Sequence, residues 1–439
     1  MTSKLIARNN VTTLFAVFFI IIVMLQISIN DIAYRFLSLI NAVLTVLFIF
    51  SYSKRSYSLH KIVNIFLLFF FVIANAIQFS KDTITSSIPI KLVSEDYVYF
   101  QIIVFLIILI FNIAYGQFDK MKFKELSIKS IAYSPKRLII LSLLSLMIML
   151  WLYRNNLLYF FVRGVAEDLQ NGASGGGEET QGNVGYMFLE KVVRAIPFSC
   201  AIIAINFSIP KKLRFILLFI MLIALFPPGL SRNATAMYWL PILLIICKRL
   251  DKGNLFVFVM LLALLVVFPL LGIFRKWDGT FDFGYSLDYL NTMNFDASQE
   301  FMIIIKKNVI TMGGQLLGAI FFFIPRSIWP DKPIGSGAFV AEKEGVFSNI
   351  SMPYFGEGYI NFGYVGVVVF SFFLAYLCSR LDKDYWRKSK VYNRFKPYYL
   401  LFLSSILFIM RGDLMSSIAY TTGTAISIYM TERIVQIQK

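Results

Sequence analysis

Charge is what this sequence has least of. Of its 439 residues 15% are charged and 58% hydrophobic, whereas a soluble domain carries roughly 25% charged residues. So few charges cannot coat a water-facing surface, which excludes an ordinary soluble enzyme. Histidine is scarcer still. The one histidine, His60, falls in a predicted cytoplasmic loop beside Lys61, so a histidine-based triad or a zinc site across the membrane has nothing to work with. The three cysteines, Cys200, Cys247 and Cys378, lie within apolar runs or at their ends. They offer neither a metal spacing nor a disulfide framework and read as small apolar side chains. The chain also lacks G-x-x-x-x-G-K-S/T, so no nucleotide-driven pump is encoded. Its halves show no internal repeat.

What is abundant is apolar length. A membrane span needs about 20 apolar residues, and that template predicts helices near 11–29, 36–52, 62–79, 97–116, 138–152, 195–209, 213–230, 234–247, 255–274, 362–379, 398–410 and 414–430. The fold class is therefore all-α: a polytopic membrane protein of about twelve helices, residues 1–439 forming one integral membrane domain. The first apolar run is too long for a signal peptide and is followed by no small-residue cleavage site. It reads as a retained helix.

The net charge of +17 does not point to nucleic acid, because the basic residues sit in short clusters between apolar runs. With the N-terminus in the cytoplasm, every predicted inner segment is basic, from Lys4 and Arg8 through Lys54, Arg55 and Lys61 to Arg433 and Lys439. That is the pattern that orients membrane helices, and it puts both termini in the cytoplasm. Two predicted outer loops are long, 153–194 and 275–361. The first is glycine-rich at 172–177. The second holds an apolar stretch at 313–329, broken by Pro325 and Arg326, that is too interrupted to span and reads as an interfacial segment. Loops this long, rich in aromatics, glycine and proline, favour function.

Two signals carry chemistry. Arg232, Arg275, Arg326 and Arg411 stand at the outer ends of apolar runs, against the orientation rule. Guanidinium groups bind phosphates bidentately and stay charged when partly desolvated, so such a set suits a lipid-linked pyrophosphate. Lys332 lies beside them. The plainer reading is snorkelling to lipid headgroups. The second signal is Met352-Pro353-Tyr354-Phe355-Gly356-Glu357-Gly358-Tyr359. There a lone carboxylate able to take a proton from a sugar hydroxyl stands among aromatic platforms for sugar rings. Asp31, Glu95, Asp96, Asp278 and Asp331 are rival bases on the same face. Asp382-Lys383-Asp384 imitates a nucleotide-sugar motif but reads as a solvated charge run in a basic inner loop.

The runs Ile324-Pro325-Arg326-Ser327-Ile328-Trp329-Pro330-Asp331-Lys332-Pro333 and Gly356-Glu357-Gly358-Tyr359-Ile360-Asn361-Phe362-Gly363-Tyr364-Val365-Gly366 resemble the bacterial oligosaccharide repeat-unit polymerases. These are the Wzy-type polymerases of O-antigen and capsular polysaccharide. Leu230-Ser231-Arg232 and Met410-Arg411-Gly412-Asp413 are similar to that family too. The resemblance implies a metal-independent glycosyltransferase without cofactor in the bacterial inner membrane. It would work on the outer face, in the biosynthesis of lipopolysaccharide or a related polymer. The growing glycan would pass from undecaprenyl pyrophosphate to the next lipid-linked unit, with a chain-length regulator as an implied partner. On this expectation Arg232, Arg275, Arg326, Lys332 and Arg411 hold the pyrophosphate, Glu357 is the catalytic base, and Tyr354, Tyr359 and Trp329 contact sugar. Two other readings stay open. A flippase for lipid-linked units would need charge deep in its helices and often paired halves. A ligase would share the donor and differ only in the acceptor.

Overall fold

The structure is a computed structural model that describes residues 2–51, 55–121, 132–154, 157, 161, 184–207, 209–267, 287–346, 350–388 and 395–437. It is overwhelmingly helical. The first four helices are α1 (Thr2–Gln26), α2 (Ile32–Ser51), α3 (Leu59–Ser80) and α4 (Ser94–Lys120). Next come α5 (Pro135–Leu152), α6 (Val184–Asn206), α7 (Lys211–Ala224), α8 (Arg232–Ile246) and α9 (Leu255–Leu262), which continues into a π turn. Three short helices follow, α10 (Ala297–Lys306), α11 (Gly314–Ile320) and α12 (Ser336–Lys343). The chain ends on α13 (Tyr354–Lys388), α14 (Phe395–Arg411) and α15 (Leu414–Val435). Each of the twelve predicted apolar stretches falls on a helix within the described residues. Six helical segments, Ile32–Ser51, Leu59–Ser80, Ser94–Lys120, Pro135–Leu152, Lys211–Gly229 and Tyr354–Arg387, are long and apolar enough to cross a membrane. The chain is a multi-pass helical membrane protein.

Local chemistry sets the helix ends. Asp31 accepts from the Tyr34 N–H at 2.9 Å and from the Ser94 hydroxyl, starting α2 and tying it to α4. Ser134 before Pro135 accepts from Arg137 N, and Ser231 accepts from Ala234 N at 3.2 Å. These are side-chain caps on the otherwise orphaned first N–H groups of α5 and α8.

Two apolar cores result. One is built by α1–α4, α9, α10, α13 and α14 around α3, which is almost wholly enclosed. The other is built by α5–α8, and α14 and α15 bridge the two through Leu401, Ile428 and Val435. Polar side chains cross the first core in pairs. Tyr34 donates to Asn75 at 2.8 Å, and Gln101 joins Asn41 to Asn75 at 2.9 Å each, as expected where no water can satisfy them. Leu14, Phe15, Phe18 and Phe19 of α1 and Phe215 and Phe219 of α7 face outward, an apolar surface suited to lipid. The only described strand pair, Ala132–Tyr133 with Gln436–Ile437, staples the end of the chain to the start of α5.

Helix α13 contains a reversal. Phe362 and Gly363 leave helical geometry, and Gly363 takes a positive φ of 62°, which glycine adopts without penalty. In a straight helix, residues 354 and 370 would stand about 24 Å apart. Here the Tyr354 hydroxyl donates to the Phe370 carbonyl at 3.2 Å and the two rings pack at 5.2 Å. The segment 354–361 is thus a short helix folded back on 364–388. Gly358 and Gly366 meet where the halves touch, so close that a Cβ on Gly366 would overlap the Gly358 carbonyl. The carbonyls freed at the break are taken up by the turn before α11: Thr311 N reaches Ile360 O at 2.7 Å and Gly313 N reaches Asn361 O at 3.0 Å. Asn361 completes the joint by accepting from Leu316 N at 2.8 Å.

Within the loop expected at 275–361 the chain therefore builds α10, α11 and α12, which no spanning template predicts because they are short. The apolar stretch 313–329 holds α11, packed on α13 and α15, followed by turns that expose Phe321, Phe323 and Ile328.

Candidate functional site

The connection between α14 and α15 is where the predicted residues gather. Arg411 ends α14, Gly412 turns the chain with its N–H on Phe408 O at 2.7 Å, and Asp413 caps α15 by accepting from Ser416 N at 3.1 Å. Glu357, on the folded-back segment, is buried at 1% exposure. One of its oxygens accepts from the Ser336 hydroxyl at 2.7 Å, the other from the Leu414 N–H at 3.0 Å. Asp413 also accepts from Gly337 N at 3.3 Å. Two carboxylates therefore lie where the N-termini of α12 and α15 meet, with the positive ends of both helix dipoles toward them.

On the other flank, Arg411 donates to the Met293 carbonyl at 3.0 Å and to Asp296 at 3.3 Å. Arg232 donates to the Tyr289 hydroxyl at 2.6 Å and stacks its guanidinium over that ring. Burial raises the Tyr289 hydroxyl above its ordinary range, and Arg232 and Arg411 together pull it back, so one phenol joins the fields of both arginines. Burial likewise raises the Asp296 carboxyl, with the Arg411 charge opposing it. One turn on, burial and then the Asp296 charge push Glu300 up to about 8.

The remaining cations stand on the neighbouring loop. Lys332 donates to the Phe322 and Ile324 carbonyls at 2.9 Å each, and exposed Arg326 donates to Pro330 O at 3.2 Å. Burial and then the Arg326 charge lower the Lys332 ammonium. Trp329 is half-buried on the same loop. The loop reaches the α14–α15 connection through Pro333, which packs against Gly318 of α11, and through Gly335, which lies against Asp413. Thus Glu357 is held at the α14–α15 connection that Arg411 begins, Arg232 and Arg411 flank Tyr289, and Arg326, Lys332 and Trp329 stand on the adjoining loop. Arg275 and Asp278 lie outside the described residues, as does the glycine run 172–177.

Some expectations need correction. Tyr354 and Tyr359 are core residues, their hydroxyls on Phe370 O and Asn308 and their rings packed on Phe355, Phe301 and Tyr364. Their sequence neighbourhood looked like an exposed sugar platform because the chain reversal that buries it is invisible to a hydropathy window. Of the rival bases, Asp31 caps α2, and Asp96 caps α4 and pairs with Lys306 at 2.6 Å. Glu95 and Asp331 are exposed. The sequence shows Asp413 only as part of Met410-Arg411-Gly412-Asp413, with no role of its own, and does not single out Ser336, Asp296 or Tyr289. Asp413 did carry a signal: an Asp after glycine and before an apolar run is a helix start.

The expected charge run at 382–384 is also corrected. Asp382 is fully buried and accepts from Leu59 N at 2.9 Å, His60 N at 3.2 Å, the Tyr115 hydroxyl at 2.8 Å and the Tyr399 hydroxyl at 2.7 Å. His60, expected in a loop, is buried in the first turn of α3 with Nε2 against Asn112 at 2.7 Å. This network stands at the opposite end of the bundle from Glu357.

The fold and site define a multi-pass helical membrane protein that places carboxylates and guanidinium groups together at one end. Residues 350–438 match the sequence model of a family described as O-antigen polysaccharide polymerase Wzy, a segment that contains Glu357, Arg411 and Asp413. The match supports the Wzy-type polymerase family and, broadly, an O-antigen polymerase role, that is, a glycosyltransferase-type polymerase in polysaccharide biosynthesis. No curated protein and no solved structure matches the chain.

Proposed function

We propose that this protein polymerises lipid-linked oligosaccharide repeat units on the outer face of the cytoplasmic membrane, passing the growing glycan from undecaprenyl pyrophosphate to the next lipid-linked unit. The observation that carries the reading is that the family match at 350–438 covers the segment in which Glu357, Arg411 and Asp413 converge. A twelve-span arrangement with cytoplasmic termini goes with it. Its support is the helix ends near Asp382, which carry Lys120, Lys136, Arg137, Lys211, Lys212, Lys248, Arg249, Lys383 and Arg433, the basic composition of a cytoplasmic face. That leaves the Glu357 end facing out.

On this reading Arg232 and Arg411, with Arg326 and Lys332 from the adjoining loop, meet the donor pyrophosphate and stabilise it as it leaves. Preformed positive charge in a partly dry site is worth far more than in water. Trp329 offers its ring to a sugar, and a carboxylate of the Glu357–Asp413 pair takes the acceptor proton. Tyr354 and Tyr359 serve by packing the segment that holds Glu357. The described helix interiors carry little charge beyond the two end networks, which disfavours a flippase.

The test is glycan length in cells carrying Arg411→Ala or Arg326→Ala, at membrane levels matched to the parent. Loss of the polymer ladder, leaving single repeat units on the final acceptor, is the expected result. A normal ladder from both variants removes the site. Absence of even single units from the surface identifies a flippase, and lipid-linked polymer that never reaches its acceptor identifies a ligase.

A further inference from the structure

We infer that Asp413 is the group that takes the proton from the acceptor hydroxyl, and that Glu357 is its positioning residue; the inference rests on the polymerase reading above. A general base must come within about 2.6–3.2 Å of the proton it removes. Glu357 is sealed at 1% exposure, and each of its oxygens is engaged, by Ser336 and by Leu414. Asp413 is half-buried. Each of its oxygens accepts one backbone N–H, Ser416 at 3.1 Å and Gly337 at 3.3 Å. Both carboxylates thus receive two of the about four hydrogen bonds that such a group can accept, and access separates them: Asp413 is open to an acceptor hydroxyl and Glu357 is not.

The surroundings are shaped for that carboxylate. A Cβ on Gly335 would stand 2.5 Å from Oδ2 of Asp413, so the loop passes it with a bare backbone. Arg411 is two residues away, within about 7 Å between Cα atoms, which sets a proton acceptor and a phosphate-binding guanidinium on one turn. Glu357 clamps the residue next to each of them: Leu414 follows Asp413, and Ser336 stands between Gly335 and Gly337. It thereby fixes both walls of the Asp413 site.

In the step itself the Asp413 carboxylate takes the proton of the acceptor hydroxyl as that oxygen bonds to the anomeric carbon of the donor sugar. The bond from that carbon to the pyrophosphate oxygen breaks, and its electron pair leaves on the pyrophosphate, where Arg411 meets the charge. The proton then passes from Asp413 to water.

The experiment uses the full chain, purified in detergent and supplied with lipid-linked repeat units as donor and acceptor. Asn caps helices as well as Asp does, so Asp413→Asn keeps an acceptor for Ser416 N at the start of α15 while it removes the base and the long 3.3 Å bond from Gly337 N. The expected result is a rate loss of about 100-fold or more, the range of general-base catalysis, with an unchanged melting temperature. Glu357→Gln keeps one acceptor oxygen and is expected to lose about 10-fold, within the range of one lost hydrogen bond, while retaining the acidic limb of the parental pH–rate profile. Gly335→Ala, which displaces the Asp413 carboxylate, also lowers the rate. Polymerisation by Asp413→Asn within twofold of the parent overturns the assignment. So does loss of the acidic limb in Glu357→Gln, which would return the base to Glu357. If the parent protein itself makes no polymer from these units, the polymerase reading fails, an outcome distinct from either.

Discussion

Asp382 and Asp413 are both aspartates that accept backbone N–H groups at the start of a helix, at opposite ends of the same bundle, and they differ in what else reaches them. Asp382 receives four donors, from Leu59, His60, Tyr115 and Tyr399, and has no exposure. Beside it, Arg55 pairs with Asp119 at 2.5 Å. Asp413 receives two donors and stays half-open next to Arg411. A buried carboxylate whose oxygens are all occupied has no capacity left for a substrate and joins α3, α4, α13 and α14. A carboxylate with spare lone pairs beside a guanidinium is equipped to react. The number of donors and the access, not the residue type, separate a lock from a reagent.

The comparison predicts its largest effect at Asp382. In Asp382→Ala four buried donors lose their acceptor and the Arg55 charge loses its neighbour, a change that costs about 3–5 kcal/mol for a broken buried charge contact. The expected outcome is little folded protein on size-exclusion chromatography in mild detergent. Asp413→Asn, by contrast, elutes and melts like the parent while polymerising about 100-fold more slowly. Equal loss of folded protein in the two variants would collapse the distinction between the ends.

A second, smaller effect is expected at the reversal in α13. Gly366→Ala drives a Cβ into the Gly358 carbonyl and must separate the two halves, an overpacking cost of about 1–3 kcal/mol. Because Glu357 rides on the folded-back half, polymer length falls along with the melting temperature. Gly423 is the matched control, since a Cβ there meets nothing within 4 Å. A Gly366→Ala protein that melts and polymerises like Gly423→Ala shows that the close approach does not matter.

How far the sequence reveals this molecule follows from the range of each signal. Hydropathy acts over about 20 residues, so the helices from α1 to α9 and α13 to α15 are legible. The reversal at Phe362–Gly363 stands at the start of the predicted helix 362–379, where no window shows that the segment before it folds back, so Tyr354 and Tyr359 read as part of an outer loop. Arginines opposing the orientation rule singled out Arg232 and Arg411, which the fold sets on either side of Tyr289. Their partners Tyr289 and Asp296 come from a stretch with no periodic signal, and only the fold brings them near. Asp382 read as solvated because its sequence neighbours are charged, whereas its donors come from residues 267 to 323 positions away in the chain and from α14.

The smallest expected effect separates the ends by their response to pH. Glu300, on the site end, has its carboxyl pushed up to about 8 by burial and by the Asp296 charge, while an unfolded Glu ionises near about 4.3. Between those values the folded protein holds a proton that the unfolded chain has released, so folding takes up a proton. Stability from this group is therefore full below about 4.3, declines as pH rises through the window, and is lost above about 8. The sign is opposite to that of the usual salt-bridged carboxylate, whose contribution grows with pH. Melting temperature in detergent should fall between pH 6 and pH 9, and Glu300→Gln, which mimics the protonated form, should flatten that fall. The slope belongs to the site end, because α10 carries Glu300 and, through Asp296, the contact that holds Arg411. If Glu300→Gln melts with the parental slope, the proton is not on Glu300, and the coupling between α10 and the arginine it holds must be sought in Asp296 alone.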